Sequence, residues 1–173
     1  MLKKGRMSGV NVYFGLGSNQ GDRLGNIRSA VRLLDEALGV HYTALSRIIE
    51  TESWGFSGQN FLNACILYRI GREGSPEAHG EALLDVCKAV ERELGRDDVP
   101  EFDSDGRRIY HDRTMDIDIL FYGSERIETP RLTVPHPLIR QRPFVMEPLL
   151  EIARPSLRRK FPEIFGENVG FLS

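Results

Sequence analysis

Cysteine is scarce. Cys65 and Cys87 are the only two in 173 residues, and they show no C-x-x-C spacing. Neither a disulfide framework nor a zinc site is indicated, and two reduced, buried small hydrophobes are expected instead. No apolar run approaches the length of a membrane span. Residues 1–9 are basic and have no apolar stretch behind them, so they are not a secretory signal. They read as a frayed extension, with Met7 as an alternative start. Charge of one sign is also missing. A formal net charge of -2 argues against a dedicated binder of nucleic acid or anionic membrane. No G-x-x-x-x-G-K-[ST] loop and no protein-kinase signature set occurs, so any nucleotide site must be built from side chains and loops. Internal repeats and low-complexity segments are absent. A cytoplasmic monomer is expected, with one domain over 10–155 and a tail over 156–173.

Hydrophobic residues at 40% and charged residues at 28% describe a folded globular chain. Val10–Leu16 reads as a first strand. A turn over 17–21 leads to Asp22 as helix N-cap, with Leu24, Ile27, Val31, Leu34 and Leu38 as the buried stripe and Gly39 as the stop. Val40–Glu50 reads as a second strand and Asn60–Ile70 as a third. Ser75 and Pro76 open a second helix. Its stripe is Leu83, Val86, Val90 and Leu94, and Gly95 ends it. Residues 97–112 read as a long polar loop, a length often used for a lid. A fourth strand follows, then a turn at Gly123-Ser124 and an amphipathic helix over Phe144–Ile152. After Pro155 periodicity is lost. The order β-α-β-β-α-β with additions predicts an α+β, ferredoxin-like fold with a mainly antiparallel sheet. Its helices should cover one sheet face and leave the other to loops and ligand.

The fourth strand carries the chemistry. In Arg113-Thr114-Met115-Asp116-Ile117-Asp118-Ile119-Leu120-Phe121-Tyr122, alternation puts Asp116 and Asp118 on one face. Met115, Ile117, Ile119 and Phe121 take the other. Two carboxylates side by side repel unless a cation lies between them, and oxygen-only ligands suit Mg²⁺. An edge strand with two solvated acids is the plain alternative. Phe61 and Asn63 share a face of the third strand, where a flat polar ring could stack and hydrogen-bond. Glu91, in the last turn of its helix, opposes the helix dipole, which suggests a local partner. Eight arginines lie between Arg96 and Arg142, and Arg suits multidentate phosphate contacts.

Six segments stand in order: Gly17-Ser18-Asn19, Phe61-Leu62-Asn63-Ala64, Glu91 with Gly95-Arg96, Arg113-Thr114-x-Asp116-x-Asp118, Arg131-Leu132-Thr133-Val134-Pro135-His136, and Arg142-x-Phe144. In this set and spacing the chain resembles the 6-hydroxymethyl-7,8-dihydropterin pyrophosphokinases of folate biosynthesis, from Val10 to Pro155. The resemblance implies that ATP with Mg²⁺ binds first and the pterin second. The pterin hydroxymethyl oxygen then attacks the β-phosphorus and AMP leaves. It implies two Mg²⁺ ions on Asp116 and Asp118. It implies a pterin between Phe61 and Phe144, with Asn63 on its polar edge and backbone of Thr51 to Trp54 beside it. Arg96, Arg113, His136 and Arg142 would act on the triphosphate or its transition state. Glu91, Arg131, Thr133 and backbone near Ile119 would surround the nucleotide. Tyr110 stands where many members have Trp. Pro137 stands where some have a phosphate-contacting Tyr, so none is assigned there.

Three other readings compete. An RNA-binding module would need a basic surface and an aromatic pattern on the central strands, and has neither. A non-catalytic ATP-binding relative is opposed by the presence of both aspartates and His136. A γ-phosphoryl kinase would release ADP instead of AMP.

Overall fold

Ten residues of alternating and then continuous apolar character, GVNVYFGLGS, make β1 (Gly9–Ser18) the centre of the sheet. The computed structural model describes residues 8–52, 59–95, 101–109 and 114–166. α1 (Arg23–Leu38) begins where the Asp22 carboxylate accepts from Gly25 N and ends at Gly39, which adopts the left-handed conformation at φ 71°. Its buried face is Ile27, Ala30, Leu33 and Leu34. Leu24, expected in that stripe, is exposed.

The expected single strand over Val40–Glu50 is two pieces, β2 (Ala44–Leu45) and β3 (Ile49–Thr51), separated at Ser46. Ser46 bridges the break. Its Oγ accepts from Cys65 N at 2.8 Å and donates to Arg47 O at 2.8 Å, so a side chain supplies the partner that an unbroken ladder would have supplied. Both pieces pair with β4 (Phe61–Gly71). α2 (Pro76–Glu93) opens with the Ser75 side chain accepting from Ala78 N and buries Leu83, Cys87 and Val90. Leu94 caps it and Gly95 follows at φ 92°.

The polar stretch over 97–112 contains a hairpin, β5 (Glu101–Phe102) with β6 (Arg108–Ile109). Asp103 Oδ1 holds its turn by accepting from Asp105 N and Arg107 N, both at 2.9 Å. β7 (Asp116–Tyr122) then returns to the edge of the main sheet beside β1. β8 (Ile127–Glu128) and β9 (Thr133–Val134) form a second hairpin. The last elements among the described residues are α3 (Pro143–Ile152), α4 (Pro155–Lys160) and α5 (Pro162–Phe165).

The main sheet runs β2-β4-β1-β7, with β3 also on β4 and every pairing antiparallel. This is the α+β, split βαβ arrangement predicted from the element order. α1 and α2 cover one face, over a core that includes Phe14, Leu34, Ile66, Tyr68, Met115, Ile117 and Ile119.

Two expectations fail here. The second face is not left to loops. α3, α4 and α5 close most of it over a separate core of Tyr13, Cys65, Leu67, Phe121, Leu149, Leu157, Phe161 and Phe165. The stretch after Pro155 therefore folds as two short helices and buries three large side chains. It lacks visible periodicity because each helix is too short to show one. Phe121 is also on the opposite face from the one expected. Tyr13 pairs with Phe121 but Phe14 pairs with Ile119, so Leu120 is an extra residue, a bulge that inverts the alternation. Phe121 packs against Phe161 and Phe165, with ring centroids at 5.2 and 5.8 Å.

Candidate active site

On the face away from α1 and α2, the C-terminal half of β1 offers Gly15 and Gly17 and no side chain. Gly17 lies opposite Asn63 of β4 on one side and Asp116 of β7 on the other. Gly15 lies between Cys65 and Asp118 in the same way. Directly opposed residues of an antiparallel pair share a face. The carboxylate pair and the amide with its aromatic neighbour are thus brought to one side of the sheet. A row of two strand spacings, about 10 Å, separates them.

Gly17 permits this closeness. A Cβ there would stand 3.1 Å from Asn63 Oδ1 and 3.7 Å from Phe61 Cδ1, so the amide and the ring edge lean over the glycine. Asn63 is buried at 6% exposure, and its Nδ2 donates to Thr51 Oγ1 at 2.7 Å. Thr51 in turn pairs with Phe61 across the β3–β4 ladder.

Asp116 and Asp118 are half-buried on one face of β7, as the alternation predicts. Arg142, at the N-cap of α3, places Nη1 3.8 Å from Asp118 Oδ2. The same guanidinium lies 5.8 Å from the Phe144 ring centre. His136 is held on β7 through its backbone, N to Leu120 O at 3.1 Å. Burial first, and then the Arg142 cation, hold its imidazole below the usual histidine value, against a smaller opposing pull from Asp116. His136 is therefore neutral at pH 7. Leu138 N donates to its Nδ1 at 3.2 Å, which leaves the ring proton on Nε2.

Among the described residues no group of three or more His, Cys, Asp or Glu side chains is gathered as a metal cage. Two carboxylates with no soft ligand fit Mg²⁺, which keeps its remaining positions for water and phosphate oxygen.

The other predicted residues fall elsewhere. Glu91 is fully buried in the last turn of α2, with Lys88 Nζ at 4.0 Å, in keeping with the local partner expected for it. Arg131 and Thr133 are exposed on the β8–β9 hairpin, where Arg131 Nη2 bonds Asp85 Oδ1 of α2 at 2.5 Å. The Ile119 side chain lies in the core under α2 at 3% exposure, so only its backbone could meet a ligand. Trp54, Arg96 and Arg113 lie outside the described residues.

Ser18 and Asn19, which the sequence shows as part of a turn, are both at 0% exposure. Ser18 Oγ donates to Thr114 O at 2.6 Å and accepts from Asn26 Nδ2 at 3.2 Å. Asn19 Nδ2 donates to Gln59 O at 3.3 Å. These bonds tie the end of β1 to the residues leading into β7 and β4, the two strands that bear the site. The signal was two small polar residues after an apolar strand, which sequence alone reads as an ordinary turn.

The model of the 7,8-dihydro-6-hydroxymethylpterin-pyrophosphokinase family matches residues 13–154. A 2-amino-4-hydroxy-6-hydroxymethyldihydropteridine pyrophosphokinase of Porphyromonas gingivalis is 41% identical over 144 residues, covering 82% of this chain and 90% of its own. The Aquifex aeolicus protein of the same name is 38% identical over 164 residues, 92% of each chain. An Arabidopsis thaliana folate synthesis bifunctional protein is 38% identical over 142 residues, which make up 26% of its length. The chain belongs to the 7,8-dihydro-6-hydroxymethylpterin-pyrophosphokinase family. Its activity is that of a pyrophosphokinase of folate biosynthesis: pyrophosphate passes from ATP to the hydroxymethyl group of 6-hydroxymethyl-7,8-dihydropterin, and AMP is released.

Proposed function

We propose that the two ends of this reaction meet across Gly17. The pterin lies over Phe61 and Asn63 on one side, and the β- and γ-phosphoryl groups lie over Asp116 and Asp118 on the other. The observation that carries this is the register in which Gly17 pairs with both Asn63 and Asp116. A side chain at that position would stand between nucleophile and phosphorus. A pterin about 10 Å from the carboxylates can extend its hydroxymethyl arm into the gap.

Phe61 and Phe144 stack on the two faces of the ring, and Asn63, fixed by Thr51, reads its polar edge. Backbone around Trp54, outside the described residues, is assigned to the pterin by the family resemblance alone. Asp116 and Asp118 would hold two Mg²⁺ ions, whose charge would neutralise the phosphates and make the attacking hydroxyl more acidic. Phosphoryl-type transfer needs little covalent help from protein, so the other groups position reactants and balance charge. Arg142 is set for this between Asp118 and Phe144. Neutral His136 donates from Nε2 to a phosphate oxygen. Arg96 and Arg113 share the triphosphate. Arg131, Thr133 and the Ile119 backbone lie along the nucleoside, whereas Glu91, fully buried in α2, has no surface to offer it. The protein works as a cytoplasmic monomer without nucleic acid or membrane. Its large exposed apolar residues among those described, Leu24, Val40, Phe102 and Leu138, are scattered over separate segments.

The test is a product assay with ATP, Mg²⁺ and the pterin. AMP appearing one-for-one with diphosphorylated pterin supports this account, whereas ADP would indicate γ-phosphoryl transfer. Soaking crystals with a non-hydrolysable ATP analogue and the pterin then locates each group.

A further inference from the structure

Alternate residues of a strand share a face, so Gly9, Asn11, Tyr13, Gly15 and Gly17 present one side of β1. Tyr13 fills the middle of this side with the C-terminal core. Both ends carry only glycine. The Gly17 end belongs to the site described above. The Gly9 end, eight residues and about 26 Å away at the strand rise, opens on a second cavity of about 260 Å³ against α4.

The charge lining this cavity has one sign. Arg69 of β4, Arg72 just after it and Lys160 at the end of α4 all line the cavity, and no acidic residue does. The Arg69 guanidinium occupies the room that Gly9 leaves, since a Cβ there would stand 2.9 Å from its Cζ. Its Nη1 donates to the neutral Asn11 Oδ1 at 3.2 Å. Arg72 packs 5.8 Å from the Tyr122 ring centre and is partly balanced by Glu125 at 3.6 Å. Among the described residues, neither Arg69 nor Lys160 has an acidic partner. Ser124 and Ser156 also line the cavity.

Clustered like charges repel, and in a chain of net charge -2 such a cluster is not a property of bulk composition. Two guanidinium groups and an ammonium, in a cavity also lined by two serines, match an oxyanion that accepts several hydrogen bonds at once. We infer that this cavity is a binding site for a small polyvalent oxyanion of the phosphate type, separate from the site that takes the triphosphate.

The test is titration of the folded protein with inorganic phosphate, at ionic strength held constant with sodium chloride, followed by amide NMR. The amides of Gly9, Gly123, Ser124 and Ser156 should shift and saturate. Phosphate entering the triphosphate site is seen separately at Gly15 and Gly17. In Arg69→Ala/Lys160→Ala the affinity read at the Gly9 end should fall by about tenfold or more, with pyrophosphokinase turnover unchanged. Lys160→Ala alone should give a partial loss. No saturable shift at these amides, or equal affinity in the double variant, would overturn the inference. A parallel titration with glycerol 3-phosphate identifies the source. Tighter binding than phosphate marks the head group of a larger molecule, and weaker binding marks the free ion; either ranking upholds the site.

Discussion

Arg142 Nη1 stands 3.8 Å from Asp118 Oδ2, and this contact joins two layers that the chain order keeps far apart. Asp118 belongs to the sheet, and Arg142 belongs to the helical cover of its second face. The pair is partly exposed, so its own contribution to stability is small. Its consequence is positional: when α3 docks, a cation and an aromatic ring arrive together beside the carboxylates.

Asp116→Ala and Asp118→Ala should each lower kcat by about a hundredfold or more, the scale for losing a group that neutralises transition-state charge. The fold should survive, because the neighbouring Met115, Ile117 and Ile119 make the core contacts on the other face. Steady-state kinetics with circular dichroism checks both halves. Near-normal turnover in either variant would remove the metal assignment.

Phe61→Ala should weaken pterin binding by about tenfold through lost stacking and burial, while ATP binding changes little. Gly17→Ala should show the same selectivity by a different route, since its new methyl would press on Asn63 Oδ1 at 3.1 Å. Calorimetric titration of each ligand separates the two affinities. Equal loss of both would count against the division of the site at Gly17.

Ser18→Ala should cost about 1–3 kcal/mol, because it removes a hydroxyl on a fully buried residue that bonds Thr114 O and Asn26 Nδ2. The urea midpoint reads this directly. A midpoint unchanged from wild type would mean that water replaces the hydroxyl.

Phe161→Ala should cost about 3–5 kcal/mol, the usual range for removing a fully buried ring. Ending the chain at residue 154 should prevent stable folding, since Leu157, Phe161 and Phe165 leave together. A truncated protein with a wild-type thermal midpoint would show that the second core is dispensable.

Acid should destabilise the protein through His79. Burial holds this histidine below its ordinary 6.5, and its Nδ1 sits 2.7 Å from Tyr122 Oη. A histidine lowered in this way binds fewer protons folded than unfolded. Its contribution is therefore intact above pH 6.5 and is lost as the pH falls towards the lowered folded value. Urea midpoints from pH 7.5 downward should fall less steeply in His79→Gln than in wild type. Identical slopes would place the acid sensitivity elsewhere.

What the sequence determined by itself was local and periodic. Asp22, Ser75, Gly39 and Gly95 mark helix ends because caps act within one turn. Asp116 and Asp118 share a face because strand alternation is a property of the backbone. The order of strands and helices then leaves the split βαβ sheet as its natural solution, and six short segments identify the family. Other features depended on contacts between distant residues, which no local pattern contains. The bulge at Leu120 turns Phe121 to the second core, and only pairing with Tyr13 and Phe14 reveals it. The break at Ser46 requires Cys65 as a partner. The helices after Pro155 are each too short to show a repeat, and their apolar residues acquire a face only when the sheet supplies one. Gly17 appears in the sequence as part of a turn. Its place between Asn63 and Asp116 is a fact of register, decided when three strands whose facing residues lie 46 to 99 residues apart in the chain came side by side.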